Sequence, residues 1–285
     1  MKAIILNLTA WSVLPIMDGM AKYLSSEMHF LQVVWGRYFF MILISIPMTF
    51  IFFRKYFTWS TNIRLQFIRS VFLFLSTVLF FYAISIISMA KALALAFVSP
   101  IIVTILSALL LQEKVGLHRW LAVLVGFIGA LIIIQPGFIK INLASLAALG
   151  TGIAYAFYII STRRLTNIDN PFLTLIFTGV FGAIIISLIV PFFWIAPNIN
   201  QWLLMLALAA VGTFGHFCLI LSLNYAEASK LAPLAYFEII NNVLIGYYFF
   251  GDFPNRWLWI GLFFIISSGL YISIRENRKS YKMNK

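Results

Sequence analysis

The stretch LAPLAYFEIINNVLIGYYFF, residues 231–250, is long and apolar enough to cross a lipid bilayer, yet it carries a glutamate. That residue, Glu238, is followed by Asn241 and Asn242, and spacings of three and four residues place all three side chains on one helical face. A carboxylate in hydrocarbon is costly and usually faces a bundle interior or a watery cavity. The pattern therefore favours a binding site inside a membrane protein over a polar patch that only joins helices.

The composition of the whole chain indicates the same class of protein. Of its 285 residues 63% are apolar and 10% are charged, whereas a soluble domain has about one-quarter charged residues. The apolar runs approach twenty residues and do not alternate, which predicts an all-α integral membrane protein rather than a barrel. The ten predicted spans are 3–24, 30–53, 67–87, 90–112, 118–136, 143–163, 171–194, 201–224, 229–250 and 256–274.

The net charge of +12 comes from lysines and arginines in loops and at the C-terminus. In a membrane protein this suits anionic lipid and the positive-inside rule, and no nucleic-acid partner is expected. With the N-terminus inside, the basic residues of the outer side are Lys22, Arg37, Lys91, Lys140 and Arg256, and all others lie inside. We therefore expect a multi-pass protein of the cell (inner) membrane with both termini in the cytoplasm.

The sequence also repeats itself. A gap-free shift of 139 residues overlays Lys91 on Lys230, Leu95 on Leu234, Ala96 on Ala235, Phe97 on Tyr236 and Glu113 on Asp252. This shift predicts two halves, 1–139 and 140–285, each with five spans. An odd number of spans gives the halves opposite topology, and inverted repeats are typical of secondary transporters with a site near the membrane midplane.

Several motifs carry a family resemblance: Asp18-x-x-x-Lys22, Gly36-Arg37, Arg69, Ala92-x-x-x-Ala96-Phe-x-Ser-Pro100, Gln112-Glu113-Lys114, Ala232-Pro233-x-x-Tyr236-x-Glu238 and Gly251-Asp252-x-Pro254. In this order they resemble the drug/metabolite transporter (DMT) superfamily, in its ten-span EamA-type branch. The resemblance implies a proton- or gradient-driven carrier of amino acids, nucleobases, vitamins, cofactors or drugs. The surroundings of Tyr236 and Glu238 also resemble S-adenosylmethionine uptake carriers. Asn241 and Asn242 replace the apolar or small residues expected there. We therefore do not infer from this resemblance that S-adenosylmethionine is the substrate of this chain.

The first predicted hairpin turns near Glu27. Asp18 lies nine residues before this turn and Arg37 lies ten after it, so a rise of about 1.5 Å per residue brings them to a similar depth. Lys22 shares a helical face with Asp18. We expect an outer ion-pair cluster of Asp18, Lys22 and Arg37, which acts either as a gate that opens during transport or as a permanent structural salt bridge.

A second hairpin turns near Glu227. His216 and Glu238 lie eleven residues to either side of it and therefore also share a depth. A histidine titrates near physiological pH, so this pair would suit proton coupling or cation binding. The alternative is that His216 faces another helix and hydrogen-bonds a carbonyl group. Glu113 and Asp252 lie at matched span ends, where we expect each to cap the next helix.

Aromatic residues within the spans are candidates to line a cavity that stacks a planar or cationic ligand. They are Trp11, Tyr82, Tyr155, Tyr158 and Tyr236. Counting the spans in chain order, we expect spans 1, 3, 4, 6, 8 and 9 to surround this cavity.

The sequence contains no nucleophile–base motif, metal-ligand cluster or phosphate loop, so no enzyme, metal or cofactor is expected. The pattern favours a secondary-active transporter of a small polar or amphipathic metabolite, working by alternating access and driven by protons or another gradient. Its partners would be that small molecule, the lipid bilayer and protons, with the protein as a monomer or homodimer. A passive channel or facilitator is the alternative, although filter loops are not evident, and an intramembrane enzyme is a weaker one.

The charge asymmetry predicts the topology. Reporters fused after Lys285 and within the 54–66 loop should read cytoplasmic, and a reporter in the 195–200 loop should read external. An external C-terminus would reverse the assignment of sides.

Overall fold

The structure, a computed structural model, describes residues 1–52, 60–134, 142–166 and 168–251, together with part of 256–275. Over these residues the secondary structure is helical and contains no strand, so the prediction of an all-α membrane protein is confirmed. Seven helices of the described chain are long and apolar enough to cross a bilayer. The predicted tenth span, 256–274, lies partly outside the described residues.

Among the described residues the helices are α1 (Lys2–Glu27), α2 (Phe30–Phe52), α3 (Ile63–Ile86), α4 (Met89–Ala96), α5 (Ser99–Leu110), α6 (Leu117–Ile134), α7 (Leu143–Leu165), α8 (Pro171–Ile189), α9 (Ile199–Tyr225), α10 (Ala228–Leu231) and α11 (Glu238–Phe250), followed by helical residues within 256–275. A 3₁₀ turn, Val190–Phe193, follows α8, and a second one, Ala232–Phe237, joins α10 to α11.

Asparagines begin three of the second-half helices. The side chains of Asn142, Asn170 and Asn198 accept hydrogen bonds from the first-turn backbone N–H groups of α7, α8 and α9 at 2.9–3.0 Å. Asparagine is a preferred N-cap residue because its side chain satisfies an N–H that has no partner within the helix. These caps define where the chain enters each helix.

Two predicted spans are interrupted rather than continuous. The span predicted over 90–112 is divided into α4 and α5, and the span predicted over 229–250 is divided by the 3₁₀ turn. Pro100 stands in the first turn of α5, which follows the first interruption, and Pro233 stands in the first turn of the 3₁₀ segment that forms the second interruption. Proline lacks a backbone N–H and tends to begin helices, which explains the interruptions at these places. The interruptions occupy equivalent positions under the 139-residue shift.

The two halves of the chain interlock. Helix α1 packs against α9, α2 against α8 and α3 against α7, so helices of the first half are matched with helices of the second. Their packing places the α4–α5 interruption against α7 and the 3₁₀ turn against α1. Both interruptions therefore lie inside the bundle, where irregular backbone is tolerated in a membrane protein.

Arg69 joins three helices from within the bundle. Its guanidinium on α3 donates to Thr162 Oγ1 of α7 at 2.7 Å, to the Thr174 carbonyl of α8 at 3.1 Å and to the Thr178 hydroxyl. The residue is 0% exposed. Arg69, which the sequence places at the start of the predicted span 67–87, is thus a buried cation, and its hydrogen bonds compensate its removal from water.

Gly152 allows α7 to approach the α4–α5 interruption. A Cβ atom there would lie 2.7 Å from Val98 Cγ1 and 3.0 Å from the Ala96 carbonyl carbon. Backbone atoms cannot move aside as a flexible side chain can. The small residue thus fixes the distance between these two segments.

Gly152→Ala should therefore lower the thermal unfolding midpoint in detergent. We expect an overpacking cost of about 1–3 kcal/mol, which exceeds the helix-propensity gain of about 1 kcal/mol. Gly150→Ala is the matched control on the same helix, because its Cβ would meet only Leu79 Cδ1 at 3.1 Å. Equal midpoints for the two variants would contradict the close-approach explanation.

Candidate functional site

A cavity of about 610 Å³, part of which is open to solvent, lies between the two halves. Its lining comes from the helices of predicted spans 1, 3, 4, 6, 8 and 9, and α2 contributes as well. The charged and imidazole side chains that face it are Asp18, Arg37, His216 and Glu238. Both sequence-predicted hairpin pairs thus converge on one cavity, although the sequence placed them in two separate clusters.

Arg37 extends from α2 and is held by neutral partners. Its Nη1 donates to Thr77 Oγ1 at 2.9 Å, and its Nη2 lies 2.7 Å from His216 Nε2. The Thr77 hydroxyl itself donates to the Leu73 carbonyl at 2.8 Å, which leaves its lone pairs for Arg37. The guanidinium carbon also lies 5.7 Å from the centroid of the Phe81 ring.

The expected ion pair between Asp18 and Arg37 is therefore not the contact that the structure shows. Among the described residues, neither Asp18 nor Arg37 takes part in an ion pair with a nitrogen–oxygen distance of 4.0 Å or less. Because Asp18 and Arg37 lie at a similar depth in the hairpin, both line the same cavity. Depth alone does not determine the direction of each side chain. Thr77 and His216 are the residues that contact the Arg37 guanidinium.

Lys22, the third member of the expected outer cluster, does not line the cavity. Its Nζ donates to the Ile84 and Ile87 carbonyls at 3.2 and 3.1 Å, and it lies 5.6 Å from the centroid of the Phe250 ring. Carbonyls at a helix C-terminus attract a cation because they lack intrahelical donors. Lys22 therefore connects α1 to the end of α3.

His216 links Arg37 to a second layer of side chains. Because a guanidinium offers only donors, His216 Nε2 must accept from Arg37, and the ring proton then resides on Nδ1. Nδ1 lies 3.3 Å from the Tyr158 hydroxyl, which also receives a hydrogen bond from Arg69 Nη2 at 3.2 Å. The hypothesis that His216 pairs directly with Glu238 is replaced by this chain of contacts, although both residues face the cavity.

Asp18 and Glu238 are the two carboxylates of the cavity. They come from α1 and α11, in opposite halves, and are 3% and 8% exposed. Neither takes part in an ion pair within the described chain. Glu238 opens α11, where the helix N-terminus favours negative charge.

The two asparagines after Glu238 do not face the cavity. Asn242 is fully buried, and its Nδ2 donates to the backbone carbonyl of Glu238 at 3.4 Å rather than to the carboxylate. Asn241 is partly buried and is absent from the cavity lining. The spacing correctly placed Asn242 near Glu238, but on a face that packs against other helices.

The aromatic candidates divide between the cavity and the packed interior. Trp11 and Tyr155 line the cavity with ring centroids 6.0 Å apart. Tyr236 is buried outside it and donates to the Val123 carbonyl at 3.2 Å. Tyr82 packs on the Phe30 ring instead.

A second space of about 340 Å³, part of which is open to solvent, adjoins the first and shares Trp11 and Tyr155 with it. Asn7 lines it, accepts from Trp11 Nε1 at 2.8 Å and donates to Ser222 Oγ at 3.2 Å. Neither Asn7 nor Thr77 stands out in the sequence as a candidate site residue. The four-residue spacing between Asn7 and Trp11 could have predicted their hydrogen bond, because it places both on one helical face. The contact of Thr77 with Arg37 could not be predicted in this way, because Arg37 lies on another helix.

A polar network joins the halves at one end of the bundle. The Glu113 carboxylate accepts from the backbone N–H groups of Ala228 and Ser229 at 3.0 Å each. Nearby, Arg119 and Glu227 form an ion pair of 2.7 Å. Glu113 therefore caps α10 in the other half rather than the next helix, α6. Its expected equivalent, Asp252, lies outside the described residues.

The described chain shows no group of three or more His, Cys, Asp or Glu side chains placed to hold a metal ion. It combines membrane-length helices, two helix interruptions and a cavity with buried charges. These are features of a multi-pass membrane transport protein.

The chain belongs to the EamA-like transporter family, within the DMT superfamily, since the profile of that family matches residues 1–135 and 142–274. It is 24% identical to the S-adenosylmethionine uptake transporter of Rickettsia prowazekii (strain Madrid E) over 96% of this chain and 94% of that protein. It is 33% identical to the riboflavin transporter of Vibrio cholerae serotype O1 over 67% of this chain and 64% of that protein. A solved crystal structure shares the fold, with a TM-score of 0.79 and 17% identity, over 97% of this chain and 98% of the other.

The contact with Arg37 predicts the tautomer of His216. The chain has three histidines, so His29→Gln and His118→Gln leave His216 alone for ¹⁵N NMR. We expect the Nδ1-protonated neutral ring at neutral pH, and we expect Arg37→Gln to remove this preference. Thr77→Val is the control that leaves the His216 contact in place. A proton on Nε2 in the parent protein would contradict the proposed contact.

Proposed function

We propose that this protein is a secondary-active carrier of a small polar or amphipathic metabolite, working by alternating access in the cell (inner) membrane. Both termini would lie in the cytoplasm, and two five-helix repeats of inverted topology, 1–139 and 140–285, would surround the site. The observation that carries the proposal is the cavity between the halves, to which α1 and α11 each contribute a buried carboxylate.

Two findings support the repeat. The same family profile matches the chain twice, once in each half. The helix interruptions after Ala96 and around Ala235 also occupy equivalent positions. Interrupted helices at corresponding places in two repeats are a frequent feature of transporter binding sites.

The charges of the cavity indicate how transport is coupled. Asp18 and Glu238 supply two carboxylates, and Arg37 supplies one guanidinium, so the lining has an excess of negative charge. Buried charge is costly, and the excess is neutralised by a proton or by a cationic group of the substrate. Because the contacts of His216 occupy both of its ring nitrogens, Glu238 and Asp18 are the better candidates to carry a coupling proton.

The same excess guides the choice of substrates. It favours a cationic metabolite, and S-adenosylmethionine, named for the Rickettsia relative, carries a sulfonium cation. Riboflavin, named for the Vibrio relative, is uncharged at neutral pH and is the second compound to test. Trp11 and Tyr155 supply aromatic faces for either one.

Alternating access requires contacts between the halves that open and close. The Glu113 network holds α10 and joins the first half to the second. Arg119 and Glu227 add an ion pair across the same boundary. We propose that this network closes the cytoplasmic end and that it separates when the cavity opens to that side.

A passive channel or facilitator is the alternative function. Counterflow separates the two, because only a carrier concentrates a labelled substrate against its gradient when proteoliposomes are preloaded with the unlabelled compound. Accumulation of labelled S-adenosylmethionine or riboflavin would support the carrier. Equilibration without accumulation would support the channel.

Glu238→Gln tests the coupling proposal because it keeps the side-chain shape and removes its titration. We expect normal folding and a loss of gradient-driven uptake of at least about tenfold, because losing a buried charge that binds the coupling proton or a cationic substrate costs more than about 1.4 kcal/mol. If Glu238 carries the coupling proton, exchange at equal pH should persist in part, whereas direct cation binding would abolish both. Glu27→Gln, at the end of α1, is the matched control, and unaltered transport in Glu238→Gln would make Glu238 structural.

A further inference from the structure

We infer that an aromatic surface at one end of the bundle binds the ammonium headgroup of a membrane phospholipid. This aromatic surface consists of the side chains of Trp35, Trp194 and Trp202. It lies where α9 begins, whereas the Glu113 network lies beyond the other end of α9, and none of the three indoles lines either cavity. The inference goes beyond the proposed transport function and does not depend on the identity of the substrate.

The three indoles come from different parts of the chain and meet at one place. Trp35 lies on α2, Trp194 follows the 3₁₀ turn after α8, and Trp202 lies near the start of α9. The Trp35 ring centroid lies 5.1 Å from that of Trp194, with the planes at 90°, and 6.0 Å from that of Trp202, with the planes at 71°. The centroids of Trp194 and Trp202 are 6.2 Å apart, at 50°. The indoles therefore do not cover one another as parallel stacked rings would.

The segment that carries Trp194 is held in place by side chains of α2. The fully buried Gln32 donates from Nε2 to the Ile195 carbonyl at 2.6 Å and accepts from the Ile195 N–H at 3.1 Å. Trp35 Nε1 donates to Ser187 Oγ at 3.0 Å. The arrangement of the indoles is therefore fixed by the fold, which lowers the entropic cost of binding a ligand.

The aromatic surface is accessible from outside the bundle. Trp194 is 40% exposed, and Trp35 and Trp202 are partly exposed. Phe192 and Ile199, which flank Trp194 in the chain, are exposed apolar side chains. An exposed apolar patch of this kind marks a surface for a protein or a membrane partner. In a membrane protein the acyl chains of a lipid cover such side chains, so a molecule with acyl chains and a polar head fits both parts.

The charges near the aromatic surface favour a cation. The sequence has no lysine or arginine within 23–36 or within 165–229. Glu27, at the end of α1, accepts a hydrogen bond from Gln201 Nε2 at 2.8 Å, and the described chain shows no ion pair for it. Gln201 directly precedes Trp202, so this negative charge lies at the edge of the aromatic surface.

An ammonium headgroup suits both the indoles and the local charge. Indole binds cations over the face of its ring better than the other aromatic side chains do. Tryptophan is also enriched at the depth of the lipid headgroups. An anionic headgroup would instead require arginine or lysine, which both of these sequence ranges lack. The structure therefore favours phosphatidylethanolamine or phosphatidylcholine over phosphatidylglycerol, in the outer leaflet if both termini are cytoplasmic.

Short-chain lipids test the inference on the purified full-length protein in detergent. Dihexanoyl phosphatidylethanolamine and dihexanoyl phosphatidylcholine carry an ammonium group, and dihexanoyl phosphatidylglycerol is the matched lipid without one. A ligand that binds the folded state raises the thermal unfolding midpoint. We expect at least one ammonium lipid to raise the midpoint more than phosphatidylglycerol does. If neither one does so, the inference is overturned.

Trp194→Leu tests the headgroup contact, because leucine keeps an apolar side chain and removes the ring. We expect this variant to weaken the ammonium lipid by about two- to fivefold, as for one exposed cation–π contact, and to leave phosphatidylglycerol unaffected. Trp194→Phe should recover part of the loss, and it replaces Trp194→Leu if that variant fails to fold. Trp259→Leu is the control, because Trp259 is exposed elsewhere on the chain. Equal weakening of both lipids by Trp194→Leu would show that the surface contacts only acyl chains and would overturn the headgroup assignment.

Two further measurements separate other occupants of the aromatic surface. Glycerophosphoethanolamine carries the headgroup without acyl chains, and we expect it to bind more weakly than the lipid. Equal binding would replace the lipid by a soluble ammonium compound and overturn the inference. Cross-linking in vesicles detects a second copy of the chain, and dimers that Trp194→Leu abolishes would assign the surface to an interface between copies instead. None of these measurements requires transport, so a failure of the proposed carrier is distinguishable from a failure of the lipid site.

Discussion

The hydrocarbon core of a bilayer offers no water to backbone N–H and C=O groups, and this constraint governs the structure. It makes the described chain helical, and it restricts irregular backbone to places that are enclosed by protein. The segments after Ala96 and around Ala235 are such places. Both interruptions border the cavity, so the exceptions to regular helix coincide with the candidate site.

The same absence of water determines how charges are held. Arg69 is fully buried and distributes its hydrogen bonds among hydroxyl and carbonyl groups of α7 and α8. Arg37 uses Thr77 and His216 in the same way. Neutral partners stabilise each cation without neutralising it, and for Arg37 this leaves a positive charge facing two carboxylates across a cavity.

The interlocking of the halves gives these side chains their positions. Asp18 lies on a helix that packs against α9, which carries His216, while Glu238 begins a helix that packs against α1. Each charged group of the cavity is therefore supported from the other half. A relative movement of the halves would change all of these contacts together, as alternating access requires.

The sequence by itself determined the membrane class and, over the described residues, the approximate positions of seven membrane-length helices, because apolar length depends on local composition. It also identified Asp18, Arg37, His216 and Glu238 as residues of interest, since charges in apolar segments are few. The tertiary structure alone decided their partners: His216 rather than Asp18 for Arg37, carbonyls of α3 for Lys22, and α10 rather than α6 for Glu113. Helical spacing fixes depth and face within one helix, whereas a contact also requires the packing of a second helix, which residues far away in the sequence determine.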